Sequence, residues 1–203
     1  MVRLRIKRFV PVFFAGICSM LTGCLSDFFA PKADMAKFYI LDSVAQKQKY
    51  DIKDKVVLSP VILSGYLDRP QITTLDGSNM ATMSEFNRWI ELPDGMFTRN
   101  FAKCLGQNLG YENVYIYPEY PESSQTCNVR INVVKCIGAL GGELEFMTRW
   151  TIDYGGGDIQ VYSFEKKISA GDGYDGYVNA ISECVSEASA AIAKSISQNS
   201  KKE

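Results

Sequence analysis

Cys127-Asn128-Val129-Arg130-Ile131-Asn132-Val133-Val134-Lys135-Cys136 alternates apolar and polar side chains at a period of two. Val129, Ile131 and Val133 fall on one side and Asn128, Arg130 and Asn132 on the other, the pattern of a strand with one buried and one wet face. Working outward, Gly138 to Gly142 turns the chain. Leu144, Phe146, Thr148, Trp150 and Ile152 then share a face opposite Glu143, Glu145, Arg149 and Asp153. Tyr154 to Asp158 (YGGGD) is a second turn, and Ile159 to Ile168 reads as a third strand. Three strands separated by short Gly-rich turns predict an antiparallel meander.

Helical periodicity flanks this meander. Phe97, Phe101, Cys104, Leu105 and Leu109 recur on one face of a 3.6-residue repeat, with Asp94 expected as the N-cap and Gly110 as a left-handed stop. A second helix is expected from about Tyr177 to Ser197, with Val178, Ile181, Val185, Ala188 and Ile192 as its stripe and Cys184 beside it. Upstream, Lys37 to Leu41 reads as a first strand. Val56 to Leu63 is apolar and β-branched, but Pro60 demotes it to an edge strand or a bulge. Gln71 to Leu75 and Met80 to Ile90 flank Asp76-Gly77 as a hairpin, and Asn113 to Tyr117 adds a short strand before the 118–126 loop. The sum is an α+β fold: a mixed, largely antiparallel sheet with two amphipathic helices on one face. Residues 37–198 form a single domain, followed by a polar tail at 199–203.

The amino terminus carries a different kind of signal. Arg3, Arg5, Lys7 and Arg8 precede an apolar run from Phe9 to Met20, and Leu21-Thr22-Gly23-Cys24 follows. The run is shorter than the roughly 20 residues of a membrane span and matches a secretory h-region. Small residues before a cysteine admit a signal peptidase to the backbone between Gly23 and Cys24. Residues 1–23 are therefore expected to be a lipoprotein signal peptide and 24–36 an acylated tether. Each buried methylene contributes about 0.8 kcal/mol, so two or three acyl chains on Cys24 hold a protein on a leaflet where one would not. Leu25, rather than Asp, after the cysteine points to the outer membrane, with the domain facing the periplasm.

Charge and composition narrow the function. Beyond position 23 there remain 18 basic and 23 acidic residues, a net −5, so no footprint for nucleic acid is present. There is no histidine, which excludes Ser-His-Asp and Cys-His catalysis and His-ligated zinc or haem. Cys104, Cys127, Cys136 and Cys184 remain in an oxidising compartment; they allow three pairings, and equally read as four small buried hydrophobes. Without a C-x-x-C, neither a redox nor a zinc-ribbon site is expected.

Two motifs mislead. Gly171-Asp172-Gly173-Tyr174-Asp175-Gly176 is a literal G-x-G-x-x-G between a strand and a helix, but no strand follows to complete a βαβ unit. Asp172 and Asp175 also place negative charge where a pyrophosphate sits, so the stretch reads as a tight turn and helix start. Ser163 to Lys166 matches S-x-x-K, yet on a strand those two side chains point to opposite faces. No catalytic residue, metal or cofactor is expected.

Four stretches, in order along the chain, carry a resemblance: Lys37-Phe38-Tyr39-Ile40-Leu41, Tyr66 to Ile72 (YLDRPQI), Glu85 to Glu91 (EFNRWIE), and Asp172 to Asp175 (DGYD). Together they resemble the PqiC-like family of ABC-type transport auxiliary lipoproteins. The resemblance implies a non-catalytic, lipid-anchored periplasmic subunit. Its partners would be an MCE-domain protein, a permease and an ATPase that move lipids or other hydrophobic molecules between membranes. The partner surface is expected at the Tyr66–Ile72 and Asp172–Tyr177 turns, with Tyr66, Arg69, Tyr174 and Tyr177 as its contacts. Homo-oligomerisation stays open. The competing reading is a stand-alone envelope lipoprotein that binds a hydrophobic ligand in a groove between sheet and helices.

Overall fold

The computed structural model describes residues 35–44, 48–77, 79–122 and 125–200. The expected signal peptide, Cys24 and nearly all of the tether lie outside them.

The meander forms as its alternation predicts. β7 (Thr126–Gly138), β8 (Glu143–Asp153) and β9 (Ile159–Ser169) pair antiparallel in sequence order. Val129, Ile131 and Val133 of β7 and Leu144, Phe146, Trp150 and Ile152 of β8 are buried on one face. A bulge between Val133 and Lys135 adds one residue to β7, so the buried set changes from odd to even positions and Cys136 also points inward.

Pro60 acts as a bulge and not as an edge marker. β2 (Lys55–Leu58) lies inside the large sheet, parallel to β7 on one side and to β6 (Val114–Ile116) on the other. Pairing with β7 resumes at β3 (Ile62–Leu63), shifted by one residue. Val56, Val57 and Leu58 are buried because strands cover both edges and helices one face.

A second, smaller sheet has the order β1 (Lys37–Tyr39), β5 (Met80–Trp89), β4 (Gln71–Asp76). β4 and β5 form the hairpin expected around Asp76-Gly77, and β1 joins β5 in parallel. The architecture is thus α+β with mixed and mostly antiparallel pairing, divided between two sheets.

Two helices cover the inner face of the large sheet. α1 (Pro93–Leu109) buries Phe97, Phe101, Cys104, Leu105 and Leu109. Its start differs from expectation: Leu92 is the N-cap, Pro93 the first helical residue, and Asp94 sits in the first turn. Proline is well suited to that place because its missing N–H would have no partner there, and Asp94 still faces the positive end of the helix dipole. Gly110 ends the helix with φ 91° and ψ 132°, a positive φ outside the left-handed helical well. α2 (Gly173–Asn199) begins four residues earlier than its apolar stripe suggests and buries Tyr177, Val178, Ile181, Cys184, Val185, Ala188 and Ile192. The helices pack on each other as well as on the sheet.

Candidate functional site

Both turns singled out in the sequence converge on one end of the large sheet, around the β7–β8 turn. Gly171 O accepts from Gly141 N–H at 2.8 Å, and Gly142 O from Ala170 N–H at 2.9 Å, which fastens the chain entering α2 to that turn. The glycines of the G-x-G-x-x-G stretch serve this geometry. Gly171 and Gly173 take φ of 65° and 68°, and a Cβ on Gly176 would meet Ala170 O at 2.9 Å. The stretch is a turn and a helix start.

Tyr177 lies in the core at 1 % exposure, so its expected place on a partner surface is corrected. One turn into α2, its ring faces the sheet; its hydroxyl donates to Thr73 O and accepts from Gly138 N–H, both at 3.1 Å. Burial raises its pKa far above the ordinary tyrosine value. Tyr66 is half-buried, and its hydroxyl accepts from Cys136 N–H at 3.1 Å. Burial raises its pKa as well, partly offset by that hydrogen bond. Tyr174 packs its ring 6.3 Å from that of Tyr39. Arg69 donates from its guanidinium to Gly65 O at 3.2 Å and to Met83 Sδ at 3.0 Å, bracing the 64–70 turn against β5. The four residues therefore hold the small sheet, the turns and α2 together; Tyr66, Arg69 and Tyr174 keep a partial outer surface and Tyr177 keeps none.

The outward side chains at this end are others. β5 carries a wide bulge: Arg88 pairs with Gln71 but Met83 with Thr73, so Ser84 to Asn87 stand opposite Ile72 alone. Ser84 Oγ accepts from Asn87 N–H and Nδ2 at 2.9 Å, and Arg88 Nε donates to Glu85 O at 2.9 Å, closing the loop and leaving Phe86 outside. Phe38, Ile40, Phe86, Ile90 and Leu92 are each between 58 % and 62 % exposed. Phe38 pairs with Arg88, and Ile90 N–H donates to Tyr39 O, so Phe38, Ile40, Phe86 and Ile90 share the outer side of the small sheet, with Leu92 following at the N-cap of α1. The Glu85–Glu91 stretch held the signal for this: apolar residues at 86 and 90 bracket the inward Trp89.

Cys104, Cys127, Cys136 and Cys184 are all buried free thiols. Burial pushes Cys104 up to about 11 and Cys127 and Cys184 up to about 12, with Cys136 higher still. Such thiols are held protonated and act as small apolar side chains. Cys24, the expected lipidation site, lies outside the described residues.

Between the large sheet and the helices, buried side chains of both layers pack in one core cluster. A hollow of about 1050 Å³ lies instead beyond the end of α1, lined by Lys49, Tyr50, Asp51, Asn108, Glu112 and Asn113 among others. Val44, Leu109 and Tyr111 stand in its wall beside these polar and charged groups, and it lies at the end of α1, away from the sheet–helix groove that the ligand-binding reading requires.

Solved structures define the class of fold. An uncharacterized protein superposes with a TM-score of 0.66 at 16% identity, covering 79% of this chain and 98% of its own. Protein XCC0632 from Xanthomonas campestris does so with a TM-score of 0.60 at 10% identity, covering 78% and 93%. No curated protein sequence matches. The sequence profile of the ABC-type transport auxiliary lipoprotein component matches residues 39–193, and the chain belongs to that family. It is thus a transport-system component of lipoprotein type.

Proposed function

We propose that the domain is a non-catalytic docking subunit, held by acyl chains on Cys24 at the periplasmic side of the outer membrane. There it receives the MCE-domain protein of an ABC-type system that moves lipids between membranes. The observation that carries this reading is the outer side of the small sheet, where Phe38, Ile40, Phe86 and Ile90 stand in solvent, with exposed Leu92 following at the start of α1. Burying one such side chain contributes about 1.5–3 kcal/mol, and a few central apolar anchors supply most of the energy of a protein interface. Arg69 and Tyr174 form its rim and Tyr66 and Tyr177 its internal props. A non-catalytic role is supported by the chemistry of the thiols, the strongest nucleophiles in the domain, which are buried and held protonated.

Co-purification with the MCE-domain partner encoded by the same organism tests the docking. Phe38→Ser combined with Phe86→Ser is expected to weaken capture at least tenfold with the fold intact. Undiminished capture by the double variant sinks the assignment of this surface. The anchor is tested separately by intact mass: a diacylglyceryl group on Cys24 is expected, and recovery of the native protein from the soluble fraction with a bare thiol refutes it.

A further inference from the structure

We infer that the free edge of β9 accepts an extended segment of a partner protein, one that carries an acidic residue among apolar ones. This stands on a different part of the molecule from the small-sheet surface and does not depend on it.

Strand edges are templates for further pairing, and native proteins blunt them with short length, proline, bulges or charge. The other outer strands obey this rule: β1 and β6 have 3 residues each, and β4 has 6. β9 does not. It runs for 11 residues, pairs with β8 in one unshifted register from Ser169 to Ile159, and no strand pairs with its other side among the described residues. Ile159 to Phe164 (IQVYSF) holds no charge, no proline and no glycine. The two lysines that follow are engaged within the chain, Lys166 with Glu183 and Glu187 and Lys167 with Glu143 and Glu145.

The edge is also held straight from behind. Tyr162 stacks on Trp150 with ring centroids 5.6 Å apart, Phe164 packs edge-on to Phe146, and Asn199 Nδ2 donates to Gln160 Oε1 and Tyr162 Oη. A rigid, extended edge loses little entropy when another strand joins it, which favours main-chain capture of a peptide.

Side chains beside the edge specify the guest. On the outer face Ile159 and Val161 are exposed, and an apolar residue of an added strand would cover them. One strand further in, on β8, Arg149 pairs across from Ser163 and Asn132; on β7, two strands in, Arg130 lies across from Thr151, which sets the two arginines diagonally on that face. With Ile62, Asn132, Thr151 and Val161 they line a shallow groove of about 290 Å³. Lys135 and Lys167 on the same face are ion-paired, whereas neither arginine has an ion pair or hydrogen bond among the described residues. Asp153, the acid beside Arg130, accepts from Gly155 N–H instead. A strand added about 4.8 Å beyond β9 would lie about 10 Å from β8, within the joint reach of an arginine and a glutamate side chain. A carboxylate there accepts charge-assisted hydrogen bonds from Arg149, which no acceptor among the described residues takes.

The test uses the full chain and a fluorescent nonapeptide alternating valine with threonine, with one glutamate at its centre, compared with the same peptide carrying lysine there. The glutamate peptide is expected to bind at least tenfold more tightly, to slow amide exchange along Ile159–Phe164, and to lose affinity in Val161→Pro. Arg149→Glu, an exposed change that leaves the fold intact, is expected to invert the preference toward the lysine peptide. Equal or absent binding of both peptides at millimolar concentration overturns the inference. So does protection of β9 that appears without peptide and grows with protein concentration, since a second copy would then be the occupant. None of these readouts involves the MCE-domain protein or Cys24, so they stand or fall apart from the proposed function.

Discussion

Tyr177 and Thr73 are 104 positions apart in sequence, and the hydroxyl of the first donates to the carbonyl of the second at 3.1 Å. The same oxygen accepts from Gly138 N–H. One phenol thus joins α2 to both sheets: Thr73 belongs to the small sheet and Gly138 to the end of β7. Both backbone groups lie where water does not reach, so their pairing through this hydroxyl is what makes their burial tolerable.

Tyr177→Phe removes one oxygen and leaves a buried N–H and a buried C=O with one partner fewer each. The expected loss is about 1–3 kcal/mol, read as a lower urea midpoint at unchanged slope. Because the ring does not face outward, the folded fraction of the variant is expected to retain its affinity for partners. A loss of binding at full stability would return Tyr177 to the interface.

Gly138 is a packing glycine. A Cβ built on it would stand 2.1 Å from Glu143 O and 2.5 Å from Leu144 Cα, and both obstacles are backbone. Gly138→Ala must therefore separate β7 from β8 at their turn, at a cost of about 1–3 kcal/mol or more. Gly155→Ala is a control in the opposite sense: its Cβ meets nothing within 4 Å, and only the positive φ of 87° resists the substitution. Thermal unfolding of the two variants should rank them in that order.

The thiols give a reactivity prediction. With Cys104 pushed up to about 11 and Cys127 and Cys184 to about 12, the thiols stay overwhelmingly protonated at pH 8 in the folded domain. Cys104, Cys127, Cys136 and Cys184 are expected to resist Ellman's reagent until guanidinium unfolds the chain, and then to react together. Rapid labelling of one of them in the native state would contradict the burial. A disulfide in the mass spectrum would contradict the free thiols.

Glu145 supplies the pH dependence. Hydrogen bonds from Lys135 and then Lys167 hold its carboxyl well below the usual range, at about 2. Its value in the unfolded chain is higher, so the stabilisation is complete above the ordinary carboxylate range and is lost as pH falls through about 2. The group is exposed, and the effect is correspondingly small and screened by salt. NMR titration should place the Glu145 midpoint near 2 in the native protein and move it upward in Lys135→Met. Glu145→Gln should lower stability at pH 7 and at low salt but not below pH 2.

Much of the fold was legible because it rests on local periodicity. Val129, Ile131 and Val133, or Phe97 and Phe101, declare their buried side without reference to anything distant. The errors fall where another element decides. Pro60 allowed an edge strand or a bulge, and only the flanking of Val56 to Leu58 by β6 and β7, neither adjacent in sequence, decides for the bulge. Asp94 looked like a cap, but Pro93 had already begun the helix. Tyr177 looked like a surface aromatic beside a turn, and its partners were 39 and 104 residues away.

The candidate site shows the same division. The motifs around Tyr66, Trp89 and Asp172 could be recognised from residues alone, together with their order along the chain. Which of their side chains face outward could not, because a bulge at Ser84 to Asn87 turns Phe86 away from the core. Arg130 and Arg149 could be placed on the wet face of β7 and β8 from alternation. That neither has a counter-charge among the described residues depends on which acids the lysines beside them had already engaged. Sequence by itself determined the meander, the two helical stripes and the absence of histidine chemistry, since each follows from residue type and spacing along one segment. Tertiary structure alone decided which aromatics are props and which are surface, and which strand edge stays open, because those properties belong to what lies against a residue in space.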